Sequence, residues 1–177
     1  PGLFFLLLCC VANAQEVPTS RNPIIDLSLS PANNQTINPS NNPAINPQTN
    51  WNINPAYNKG INPTENSKIN PKKNDQVDPM KNLLLNPMLF RSLHPKNQTW
   101  SGFYLFDKED NLTGYITRPT RDVLICFDIQ GKWTCYYVLT AEGNYNHFEI
   151  NGEWTGNYLC SDNKSGFNVF DKDGTWT

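Results

Sequence analysis

The side chains able to do chemistry in this 177-residue chain are few. Three cysteines, Cys126, Cys135 and Cys160, fall in the C-terminal part that begins near Gln98, and His147 is the only histidine there. A nucleophilic site needs an imidazole beside a Ser or Cys. His147 stands in a strand-like stretch between Asn146 and Phe148, where an ordinary surface histidine is expected. Cys126-x8-Cys135 with no nearby His departs from zinc-ligand spacing. Asp107, Glu109 and Asp110 crowd one turn, and Asp171-Lys172-Asp173-Gly174 opens like a calcium loop, but the third acidic ligand and the distant Glu are absent. No P-loop, G-x-G-x-x-G or G-x-S-x-G occurs. No catalytic residue, metal site or cofactor is therefore expected, and the chain reads as a non-enzyme.

The cysteines suit a different chemistry. If Gln130-Gly131 is a two-residue hairpin loop, Ile129 faces Lys132, Asp128 faces Trp133, and Cys126 faces Cys135 in a non-hydrogen-bonded pair. Cα atoms of such a pair lie about 4.5 Å apart, near the lower limit for a disulfide. A Cys126–Cys135 bridge is the expected pairing, with a Cys160 linkage to either as the alternative.

The compartment follows from the leader. Leu3–Val11 is an apolar run of signal-peptide length, and Ala12-Asn13-Ala14 before Gln15 supplies a cleavage site, so residues 1–14 read as a signal peptide. The start on Pro1 and the short stretch after Asp173-Gly174 make the chain read as a fragment. Secretion favours disulfides and gives meaning to four N-x-S/T sequons, at Asn34, Asn97, Asn111 and Asn163. No apolar stretch is long enough for a transmembrane helix.

Composition divides the chain beyond the leader into two blocks. Residues 21–97 hold 18 Asn, 11 Pro and one Gly, whereas residues 98–177 hold 16 aromatic residues and eight Gly. The first block carries a net +4 and the second −5, too little in either to imply nucleic acid. Ile37, Ile45, Ile53, Ile61, Ile69, Val77 and Leu85 recur every eight residues, each followed by Asn-Pro or, once, Asp78-Pro79. The consensus Ile-Asn-Pro-x-x-Asn-x-x is an octapeptide array. Asn before Pro starts a turn. With one branched apolar residue per eight, and Pro removing ladder donors, residues 15–97 are expected to form an extended, largely disordered tether. Flexible repeats of this kind give weak multivalent contacts, to extracellular matrix components or to other copies of the chain.

Residues 98–177 alternate apolar runs with turn signals about ten residues apart, the pattern of an antiparallel all-β domain, an up-and-down meander or barrel. The turns are Asp110-Asn111, Arg118-Pro119-Thr120, Gln130-Gly131, Glu142-Gly143, Asn151-Gly152, Asn163-Lys164 and Asp173-Gly174, and seven turns imply eight strands. Asn151-Gly152 and Asp173-Gly174 suit type I′ loops.

Two resemblances add to this reading. Gly131-Lys132-Trp133-Thr134 and Gly152-Glu153-Trp154-Thr155-Gly156-Asn157-Tyr158 resemble the opening strands of avidins, which implies a small-ligand or glycan-binding barrel on a stalk, with Trp133, Trp154 and Tyr158 at the ligand. Cys135-Tyr136-Tyr137-Val138-Leu139 stands where that family places an Asn and a Ser. The leader, the Asn-Pro array and the aromatic β domain together are similar to Asn-rich matrix proteins of mollusc shells and other invertebrate extracellular material. That similarity implies a secreted, non-enzymatic structural protein.

Overall fold

The octapeptides do not form an open tether. The computed structural model, which describes residues 26–89, 95, 101–109, 111–140, 143–164 and 166–177, winds them into a coil with one repeat per turn. Asn58 shows how. Its Oδ1 accepts from the Gly60 N–H (3.0 Å) and caps the one-turn 3-10 helix Lys59–Ile61. Its Nδ2 donates to the Asn52 carbonyl of the preceding unit (2.6 Å). The Asn of each Ile-Asn-Pro works likewise: Asn54 accepts from the Ala56 N–H (2.8 Å) and donates to the Pro47 carbonyl (2.8 Å). Asn has both a donor and an acceptor to give, so side chains build the ladder that Pro denies the backbone. Asp78 breaks the rule, because its carboxylate accepts from the Met80 N–H (2.8 Å) but has no amide hydrogen to donate to Pro71.

The second correction to the tether is a burial partner. Seven antiparallel strands pair in sequence order: β1 (Phe103–Phe106), β2 (Leu112–Thr117), β3 (Val123–Asp128), β4 (Trp133–Leu139), β5 (Tyr145–Glu149), β6 (Trp154–Ser161) and β7 (Phe167–Phe170). The expected turns at 118–120, 130–131, 151–152, 163–164 and 173–174 each lie after a strand, Asp110 and Glu142 of the other two lie outside the described residues, and in place of a full eighth strand Trp176 makes a single bridge to Phe170. The sheet is a half-barrel. Phe103 of β1 meets Phe167 of β7 edge-on at 5.5 Å within the curl, over a core that includes Ile116, Leu124, Tyr137 and Leu159.

The coil covers the opposite, outer face. Ile69 and Val77 pack with Val123, Ile125, Phe127, Tyr136 and Phe148, and Ile45 packs on Tyr158, Cys160 and Phe170. Polar anchors fix its course. Asn168 of β7 donates to the Leu29 carbonyl (2.9 Å), Asn146 of β5 to that of Ile53 (2.7 Å), and Tyr104 of β1 to that of Pro95 (2.6 Å). The coil thus crosses the sheet against strand order. A buried Ile stabilises by roughly 1.5–3 kcal/mol, so one Ile per unit suffices once a sheet lies beneath it. Repeat and β domain share one core.

The sheet is itself repetitive. Phe106, Phe127, Phe148 and Phe170 recur at a nearly constant interval. Each faces the first residue of the next strand or bridge: Leu112, Trp133, Trp154 and Trp176. Asp107, Asp128 and Asp171, each following its Phe, accept two loop N–H groups through Oδ1. The loops differ from the expected two-residue form. Glu149 bonds to Glu153 and Asp171 to Thr175 across three residues, and only Gly152 (φ 94°) and Gly174 (φ 80°) are left-handed, as in a type I turn closed by a Gly bulge.

Candidate functional site

The reactive side chains gather on the inner face of the curl. Cys126 and Cys135 are direct cross-strand partners, as expected, but by a different route: Asp128 pairs with Lys132 around a three-residue loop, Phe127 faces Trp133, and a bulge between Cys126 and Phe127 restores the register. Both are buried thiols. A hydrogen bond between the two sulfurs eases ionisation of Cys126, and the same bond, with burial, drives the Cys135 thiol far up. The first proton therefore leaves the pair more readily than the second. Burial, together with the neighbouring cysteines, also holds Tyr137 well above the usual phenol range.

His147 stacks on Tyr137 with ring centroids 4.9 Å apart. Its Nδ1 lies 3.0 Å from the Thr155 hydroxyl, and its buried Nε2 has no hydrogen-bond partner among the described residues. His147 is half-buried rather than fully at the surface, and burial lowers its pKa to about 4. Cys160 is apart from this group, on the outer face beneath the Ile45 carbonyl (3.7 Å), where burial raises it to about 12. Among the described residues, no group of three or more His, Cys, Asp or Glu could hold a metal ion.

The aromatic residues singled out for a ligand lie on the outer face instead. Trp133 belongs to the core formed with Ile69 and Val77, its Nε1 donating to the Cys135 carbonyl (2.8 Å), and Trp154 packs at the border of that core. Tyr158 stacks on Phe170 at 5.7 Å under Ile45. The coil occupies the space that a ligand would need against these rings.

Of the sequons, Asn111 and Asn163 are exposed on sheet turns, with Asn163 at φ 62°. Asn34 is half-buried with its amide engaged, accepting from the Thr36 N–H (3.1 Å) and donating to Ser28 (2.9 Å). Asn97 and residues 1–14 lie outside the described residues.

The surface left for a partner is the outward side of the coil. In each unit Ile, Asn and Pro turn inward, and the four variable residues are almost all exposed. Variable residues six apart on neighbouring turns meet: Trp51 stacks on Tyr57 at 5.3 Å, and Lys81 pairs with Asp75 at 2.6 Å. Lys59 and Glu65, or Leu83 and Leu89, occupy the same two positions. This matching of chemical type at a spacing of six is the sequence signal for the contact surface, and octapeptide alignment alone does not reveal it. The chain matches no protein-family model, no curated protein and no solved structure.

Proposed function

We propose that this chain is a secreted, non-enzymatic structural protein of an extracellular matrix, such as the organic matrix of a biomineral. In this reading the octapeptide coil is its multivalent contact surface and the half-barrel the scaffold that holds the coil in place. One observation carries the reading. Each unit turns its branched apolar residue, its Pro and the Asn or Asp before that Pro inward and leaves its variable residues facing solvent, among them Trp51, Tyr57, Met80, Leu83, Leu84 and Leu89. A rigid row of side chains engages a repetitive partner with less ordering cost than a flexible tether. The partners are matrix polymers, mineral surfaces or other copies of the chain. No helix among the described residues is long and apolar enough to cross a membrane.

The test is expression with the leader in a secretory cell, followed by fractionation against chitin, cellulose, collagen and calcium carbonate. Retention of the intact protein by at least one insoluble material is expected. A secreted protein that stays wholly soluble with all four, and shows a saturable tryptophan response to a small ligand, would overturn the proposal.

A further inference from the structure

The outward side of the coil is not uniform along its length. From Leu27 to Asn58 it contains no Asp, Glu, Lys, Arg or His; charge begins at Lys59 and continues through Lys81. Within the uncharged part stand two large aromatic side chains, Trp51 at 69% exposure and Tyr57 at 66%, on adjacent turns and stacked at 5.3 Å with planes 25° apart. Scattered surface aromatics need no explanation. This pair differs, because a ring mated to a ring on the next turn is held as one fixed platform.

Its surroundings keep it proud of the surface. Ala44 and Gly60 occupy the positions equivalent to Asn52 one turn before and one turn after, and Ala56 precedes Tyr57; all are exposed and small. A Cβ built on Gly60 meets only the Asn58 side chain. Exposed Gln48, Thr49 and Asn52 add amide and hydroxyl groups within the same two turns.

We propose that this uncharged segment binds a neutral polysaccharide, with pyranose rings stacking on the Trp51–Tyr57 platform. A sugar ring presents an apolar C–H face, to which the negative face of an aromatic ring is complementary. Its hydroxyls suit amide and hydroxyl side chains, and a neutral polymer needs no counter-charge, which this stretch of coil lacks. Neighbouring turns present their polar side chains beside the rings, so one platform gains from them. The inference rests on the matrix reading and names its partner.

Depletion of the full-length secreted protein by insoluble chitin and cellulose tests it, with calcium carbonate and anionic lipid vesicles run in parallel. Retention by a polysaccharide is expected, with a shift in tryptophan emission. The W51A/Y57A double variant should lose at least about 30-fold in affinity, as expected for paired aromatic anchors. Its unfolding midpoint should move only slightly, by the loss of one largely exposed ring pair. The L83S/L84S variant should bind as wild type. The proposal fails if neither polysaccharide retains the wild type, if W51A/Y57A binds as well as wild type, or if L83S/L84S abolishes binding. Should the wild type pellet with calcium carbonate but with neither polysaccharide, the matrix reading stands and this inference alone falls.

Discussion

Asn54 and Asp78 hold the same place in their octapeptides and differ by one amide group, which makes their exchange a measurement of the ladder. Asn54 is buried, and replacing it by Asp keeps the bond from the Ala56 N–H but removes the donation to Pro47. A lost neutral bond costs about 1 kcal/mol, and a buried carbonyl left without a donor adds about 1–3 kcal/mol. The new carboxylate must also be desolvated, so N54D should destabilise by roughly 2–4 kcal/mol. D78N supplies a donor toward Pro71 and should stabilise by about 1 kcal/mol. Urea unfolding followed by tryptophan fluorescence reads both as shifts of midpoint at constant slope. The cost of N54D should shrink toward pH 4, because a protonated carboxyl can donate again. If N54D unfolds at the wild-type midpoint, or D78N is the less stable, the amide ladder is not what holds the coil together.

Native-state hydrogen exchange should find the N–H groups of Ile37 to Leu85 that bond within the coil protected by more than the first turn alone allows, and unprotected amides there would restore the tether. Stability should fall with acid: His147 has a folded pKa of about 4 against about 6.5 unfolded, so its contribution is complete above pH 6.5 and is lost as pH drops toward 4. The full effect is at most about 3 kcal/mol, and H147Q should flatten that part of the pH profile. Mild oxidation should join Cys126 to Cys135, seen by non-reducing peptide mapping, and stabilise by roughly 2–3 kcal/mol for so short a loop; a Cys160 linkage would contradict the register. Gly114→Ala places a Cβ 2.3 Å from the Phe127 carbonyl oxygen and should be the most damaging glycine substitution, whereas Gly143→Ala meets no atom within 4 Å and costs only its backbone conformation.

The sheet was legible because turn chemistry is local: Gly131, Asn151-Gly152 and Asp173-Gly174 announce their loops, and the Cys126–Cys135 pairing survives a wrong loop length because a bulge absorbs the extra residue. The coil was not, for a physical reason. Counting one Ile per octapeptide treats the repeat as if it had to bury Ile against itself, while the burial partner of Ile69 and Val77 begins at Val123, far along the chain. The turn-forming role of Asn was readable, but its second hydrogen bond, to the preceding unit, belongs to the coil and not to any local motif. The even recurrence of Phe106, Phe127 and Phe148 was present as plain spacing, yet only the register shows each Phe facing the residue that starts the next strand. Trp133, Trp154 and Tyr158 have the right types for a ligand wall; which face they occupy depends on what covers the sheet.

Tandem DNA repeats gain and lose copies readily, and a chain of independent beads would tolerate it. Here the coil is pinned at Leu29, Ile53 and Pro95 to three different strands, so the octapeptide count is set by the width of the sheet, as a rack must match its pinion. An added copy between Leu29 and Ile53 would slide every anchor on one side by a full turn, placing the wrong residue over Asn168 or Asn146. Single octapeptide insertions should therefore be poorly tolerated between anchors, and growth of the array should keep pace with the addition of whole hairpins to the sheet.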